Sequence, residues 1–300
     1  MNFQSVFGEL LAPKYLGWLI DGFAMTAWLC LCACVAATAL GFALCVARMQ
    51  PGGPLRWLAG GYLSVFRNTP LLVQLFFWYF GASALLPEGW LPWLNTPRQL
   101  DLGPLALRWP SFEFLAGFFG LSLFTAAFIA EEFRAGVLGV APGQRAAAAA
   151  LGLTPRQTWR HVIWPQALRN AFSPLVGQYM NAVKNSALTM TIGLAELSYA
   201  SRQVETETFK TFQAFGIATL FYLLLIALME VARNCGSAAG VSGWKASMRN
   251  PGRPRKYRPA RKHFHRPYSS QFIMNIHEFM FFAGFEYRGD GISENKNIAA

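Results

Sequence analysis

Arg156, Arg160 and His161 fall on one face if the chain around them is helical, in the stretch AAAAALGLTPRQTWRHVIWPQALR at residues 146–169. Residues four apart on a helix are surface neighbours, so this basic face can meet acidic side chains or phosphate groups. Three further polar residues, Gln74, Lys184 and Asn185, stand within or beside long apolar runs. A charge held in hydrocarbon is costly enough to require a partner or a water-filled path. Lys184 and Asn185 therefore admit two readings. They line a pathway in which an ammonium favours an acidic solute, or the lysine reaches for an interface or a carboxylate inside the bundle. The amide of Gln74 likewise either lines a pathway or bonds to a neighbouring helix.

Bond chemistry is not expected of this chain. The sequence contains no G-x-x-x-x-G-K-[ST] loop to wrap nucleotide phosphates, no H-E-x-x-H and no G-x-S-x-G, which are the spacings that phosphate binding, zinc hydrolysis and a serine nucleophile would require. Cys30, Cys32, Cys34 and Cys45 all lie in the first apolar run, where a thiol is a small packing residue. No metal site is expected.

The elements that must position the polar groups follow from composition. Apolar side chains make up 54% of the 300 residues and charged ones only 14%, a balance that suits a bilayer as solvent. A helix crossing a hydrocarbon slab of roughly 30 Å needs about 20 apolar residues. Such runs occur at about residues 22–46, 70–86, 112–130, 171–194 and 212–231, predicting five transmembrane helices. The first run lacks the basic start and cleavage site of a removable signal peptide.

Lysine and arginine collect in loops on the cytoplasmic side. Arg48, Arg56 and Arg67 follow the first span, and Arg134, Arg145, Arg156, Arg160 and Arg169 follow the third. The other two loops carry offsetting acids, Glu88 and Asp101 in one and Glu196, Glu205 and Glu207 in the other. The N-terminus is therefore expected outside, and the C-terminus and the stretch 146–169 inside. Of the net charge of +11, residues 234–300 hold +7. Their segment NPGRPRKYRPARKHFHRP reads as a disordered polybasic tail beside an anionic leaflet, and nucleic acid is not an expected partner. Trp90, Trp93 and Trp109, between the second and third spans, suit the opposite membrane interface.

Within the basic stretch, five alanines form a strong helix and Gly152 can take the left-handed conformation that ends it. Thr154, Pro155 and Gln157 predict a second helix start: threonine as cap, proline where a missing N–H is harmless, glutamine closing a capping box. Pro165 is expected to limit that helix. A bent pair of short helices outside the membrane results, with a side-chain-poor alanine face that permits close approach of a partner. Before the second span, Thr69 and Pro70 predict an ordinary helix start.

The stretch resembles the cytoplasmic loop of ABC importer permeases, whose pattern is E-A-A, three residues, G, nine residues, I, one residue, L-P. Ala146, Ala147, Ala148, Gly152, Val162, Trp164 and Pro165 occupy those positions, with alanine in place of glutamate and tryptophan in place of leucine. FRNTPLLVQLFFWY at residues 66–79, AEEFRAGVLGVAPGQ at 130–144 and VKNSALTMTIGLAELSYASRQ at 183–203 resemble the polar amino-acid uptake branch, the last its glutamate/aspartate members most.

The resemblance implies an all-α membrane protein like a type I ABC importer permease, with a cytoplasmic coupling-helix loop. Its parts would be an external segment 1–21, a transmembrane domain 22–233 with the docking loop at about 131–170, and an atypical tail 234–300 whose removal should spare transport. It implies ATPase docking through Ala146, Ala147, Ala148, Gly152, Arg156, Arg160 and Pro165. The implied partners are a dimer of ABC ATPase subunits, a second permease subunit, identical or homologous, and a periplasmic solute-binding protein. ATP and Mg would sit on the ATPase, with no cofactor on this chain, in the inner membrane. Histidine, glutamine or arginine are the other implied cargoes. The reading from a different class is an ion-coupled secondary transporter, which should show internal repeats and intramembrane carboxylates.

Overall fold

Proline at the first turn and a long apolar run shape helix α1, Pro13–Arg48, which is 36 residues long, or roughly 54 Å at 1.5 Å per residue. The computed structural model describes residues 11–50, 52–96, 99–102, 105–108 and 111–247. Residues 13–21, expected in an external segment, are already helical, so the run at 22–46 is the middle of a longer rod. After it come α2, Pro54–Asn68, and α3, Leu71–Leu85, whose middle at Phe77–Gly81 is a wide π turn. A short α4, Trp90–Asn95, leads to an antiparallel hairpin of β1, Gln99–Leu102, and β2, Leu105–Arg108. This hairpin is the one departure from the all-helical expectation among the described residues.

Helix α5, Phe112–Leu138, starts on a true cap, the Ser111 hydroxyl accepting from Phe114 N. Helix α6 is Pro142–Ala150. Helix α7, residues 155–186, joins Pro155–Thr158, a π turn at Trp159–Ile163 and Trp164–Ser186. A 3-10 segment, Ala187–Ile192, then leads to α8, Leu197–Thr208, and α9, Thr211–Ser247.

Helices α1, α5 and the Thr211–Gly236 part of α9 are long and apolar enough to cross a membrane. The other two expected spans fall on helices that do not meet that measure. Helix α3 is apolar but spans only about 22 Å, short of the hydrocarbon thickness of roughly 30 Å. In α7 the expected span, residues 171–194, carries Lys184 and runs past the helix end at Ser186 into the 3-10 segment. Helix α9 does not stop at Arg233, where the tail was expected to begin; it continues to Ser247. The remainder of the expected disordered tail lies outside the described residues.

The core is built around α5, which packs most extensively on α1 and then on α7. Leu29 and Ala33 of α1, Leu71 and Leu75 of α3, Phe114 and Leu121 of α5 and Ala182 of α7 form one buried cluster. A second joins α1, α8 and α9 through Leu19, Leu197, Val204 and Ala218. Where α5 meets α7, a Cβ on Gly136 would lie 2.6 Å from the Ala167 carbonyl oxygen. Only glycine lets the two backbones cross so closely. By contrast α9 turns Phe212, Leu220, Leu228 and Val231 outward, as a helix does when its outer solvent is lipid.

Candidate docking loop and polar residues

Local sequence determines the loop between α5 and α7. Helix α6 ends as expected at Ala150, and Gly152 follows at φ +74°, a backbone state that costs an L side chain about 1–2 kcal/mol. The capping box is present: Thr154 Oγ1 accepts from Gln157 N at 3.4 Å, and Gln157 Oε1 accepts from Thr154 N at 2.9 Å. Two of the four orphan donors at the helix start are thereby satisfied.

Pro165 does not end the second helix. The π turn just ahead of it carries a Trp164 N–H to Trp159 carbonyl bond, a five-residue step wide enough to pass a residue that donates nothing. The expected second short helix is thus the first part of α7, continuous with the segment expected as the fourth span.

The residues expected to dock a partner sit largely in the open. Ala146, Ala147, Gly152, Arg156, Arg160 and Pro165 are exposed, while Ala148 is buried at 2% exposure and anchors α6. Ala149, Leu153, Pro155, Thr158, Trp159 and Ile163 line, with Arg145, a shallow concavity of about 240 Å³ between α6 and the start of α7. The Arg145 guanidinium lies 5.2 Å from the Trp159 ring centre, a cation–π contact. Leu151, 81% exposed, projects beside it. A small-residue floor, an apolar knob and exposed arginines thus stand together on one face of the loop.

Beneath the loop, Val137, Val140, Ile163 and Ala167 are buried together, with Met49, Trp159, Val162 and Trp164 packed against them. Glu131 pairs with Arg48 of α1 at 2.5 Å and with Arg134 at 2.7 Å. Glu132 accepts from Gln178 of α7 at 2.9 Å, and Asn170 donates to the Gly136 carbonyl at 3.3 Å. Arg134 thus pairs within its own helix, three residues from Glu131. The role of Arg48 was not legible beyond its contribution to loop charge.

The three polar residues lie on two helices, Gln74 on α3 and the neighbours Lys184 and Asn185 on α7. Gln74 is 7% exposed, and its Nε2 donates to the Phe66 and Thr69 carbonyls, each at 3.0 Å. Of its two readings, the structure places the donors on the end of α2. Thr69 does not cap α3: its hydroxyl donates back to the Val65 carbonyl at 2.8 Å, and Pro70 holds the cap position. The threonine instead satisfies a carbonyl at the close of the preceding helix. Lys184 is exposed and Asn185 half-buried near the end of α7.

A residue that sequence reading placed among loop charges proves central. Glu196 is fully buried, and its carboxylate accepts from the Tyr222 hydroxyl at 2.7 Å, Tyr199 N at 3.0 Å and the Thr26 hydroxyl at 3.3 Å. Leu197 N in turn donates to Thr26 Oγ1 at 3.1 Å. The available signal was an acid one residue before a helical run, the position of a cap.

Residues 39–234 match the model of the family described as binding-protein-dependent transport system inner membrane component. The chain is 36% identical over 227 residues, 75% of its length, to the glutamate/aspartate import permease protein GltJ of Escherichia coli K12, covering 87% of that protein. It is 34% identical over 215 residues to the probable glutamine ABC transporter permease protein GlnM of Bacillus subtilis, covering 72% of this chain and 89% of the relative. Among solved structures, an amino acid ABC transporter crystallised with histidines aligns at a TM-score of 0.65 and 28% identity, over 80% of this chain and 99% of that one.

Proposed function

We propose, from the premise that this chain belongs to the family of inner-membrane components of binding-protein-dependent transport systems, that it is the permease subunit of an importer for acidic amino acids. Amino-acid permease function within an ABC importer follows from the family and its relatives. The choice of glutamate and aspartate rests on the similarity to GltJ and on Lys184 near the end of α7, whose positive charge would favour a second carboxylate on the cargo.

In this reading two permease subunits enclose the pathway, and a solute-binding protein delivers cargo from the periplasmic side, where the N-terminus lies. A pair of ATPase subunits, holding ATP and Mg, docks from the cytosol on α6 and the first turns of α7. Ala146 and Ala147 allow close approach, and Arg156 and Arg160 meet acidic groups on the partner. Closure of the ATPases moves the loop and shifts the permease between inward-open and outward-open arrangements. Such a shift requires the partner to bind the two arrangements with different free energy, which a limp loop cannot transmit. The observation that carries the reading is the stiff build of this loop: a capping box, a left-handed glycine and an alanine helix, open to solvent over a packed base.

The test is uptake in sealed vesicles containing the permease with its co-purified ATPase and binding protein. Uptake of labelled glutamate that follows ATP and ignores proton or sodium gradients is expected. Uptake that follows an ion gradient would overturn the importer mechanism. Competition by glutamine, histidine or arginine better than by aspartate would reassign the cargo.

A further inference from the structure

The docking loop lies in sequence between α5 and α7, so its movement reaches those helices through covalent structure. Helix α1 has no such link, yet its last turn meets the base of the loop in two ways. Arg48 Nη1 contacts Glu131 Oε1 at 2.5 Å while Arg134 holds Oε2 at 2.7 Å. One carboxylate therefore receives guanidinium groups from two helices. The next residue, Met49, packs against the loop-base cluster of Val137, Val140, Ile163 and Ala167, and also against the cluster of Ala37, Phe133 and Leu175 along α1, α5 and α7. Adjacent residues on a helix point about 100° apart, so Glu131 faces α1 while Glu132 turns to Gln178 on α7. The far part of α1 is fastened as well, through the Thr26 hydroxyl to Leu197 N and Glu196.

We infer that the end of α1, at Arg48 and Met49, is a positioning element that carries displacement of the docking loop into the first helix, with Glu131 as its counter-charge. This rests on the reading that the loop docks an ATPase subunit. The Arg48 side chain is about one-third exposed, and Arg134 still pairs with Glu131 when Arg48 is removed. Loss of Arg48 should show in coupling rather than in folding. Arg48 donates from the last turn of its helix, where a cation also complements the carbonyl end of the dipole. A lysine there keeps the charge but loses the fork.

The experiment uses the complete transporter, permease with ATPase and binding protein, in proteoliposomes, and reads solute moved per ATP hydrolysed. For Arg48→Met the ratio is expected to fall about five- to tenfold, at the lower end of measured allosteric couplings, with the ATPase still co-purifying. Arg48→Lys should recover most of it. A normal ratio in Arg48→Met, or lost uptake that merely tracks lost complex, overturns the inference. Should Arg48→Met fail to reach the membrane, Met49→Ala is read in the same way; failure of both to insert marks a purely structural clamp and also overturns it. A wild-type chain that captures no ATPase refutes the docking reading and this inference with it. Normal coupling in both wild type and Arg48→Met removes the inference alone.

Discussion

The hydroxyl of Tyr222 donates to the carboxylate of Glu196 at 2.7 Å, joining α9 to the residue that caps α8. Thr26 of α1 donates to the same carboxylate, so three helices meet at one buried acid. Tyr222→Phe keeps the ring and removes one donor from a fully buried carboxylate. The cost of an unsatisfied buried partner is about 1–3 kcal/mol. The variant should unfold at lower temperature than wild type in detergent, and Glu196→Ala lower still. Equal melting of wild type and Tyr222→Phe would show that the bond contributes nothing.

Gly152 tests the loop without touching the core. No heavy atom lies within 4 Å of where its Cβ would be, so replacements act through the backbone and surface charge. Gly152→Asp is expected to insert normally and to lose ATP-driven uptake. Gly152→Asn, whose side chain tolerates the left-handed region better than most, should keep more activity. Normal uptake by Gly152→Asp would remove the docking role of this turn.

Gly136 tests the crossing of α5 and α7. An alanine methyl would press on the Ala167 backbone at 2.6 Å, where nothing flexible can yield. Overpacking of this kind costs about 1–3 kcal/mol, so Gly136→Ala should lower the amount of folded protein in the membrane. An unchanged yield and melting temperature would contradict the close crossing.

Lys184 tests the choice of cargo. If its ammonium meets the second carboxylate of the solute, Lys184→Met should raise the KM for glutamate about tenfold or more, as loss of a charged hydrogen bond implies. Retained acidic amino-acid uptake at the wild-type KM would assign the lysine to an interface or bundle role instead.

What the sequence made legible was local. Thr154 and Gln157 are three apart, and Gly152 ends an alanine helix, so cap and turn follow from neighbours alone. Pro165 was misread as a stop because a proline's effect depends on the turn before it, and no residue type announces a π turn. Glu196 was counted as a loop charge because two of its partners, Thr26 and Tyr222, are 170 and 26 residues away. Arg48 needed the packing of α1 on α5 before its counter-charge could be found. The β1–β2 hairpin has Gly103 and Pro104 between its strands, a turn signal that the reading of apolar runs passed over. Arg233 looked like an end because composition changes there, whereas α9 continues past it.

The wide turn at Trp159–Ile163 also acts as an angular spacer. It adds one residue to an otherwise regular repeat, and one residue amounts to about 100° of rotation and 1.5 Å of rise. The compass bearing of Arg156 relative to Lys184 is therefore set by a single surplus amino acid. Excising it would swing Arg156 about a quarter-turn from its present bearing while its side chain stayed intact.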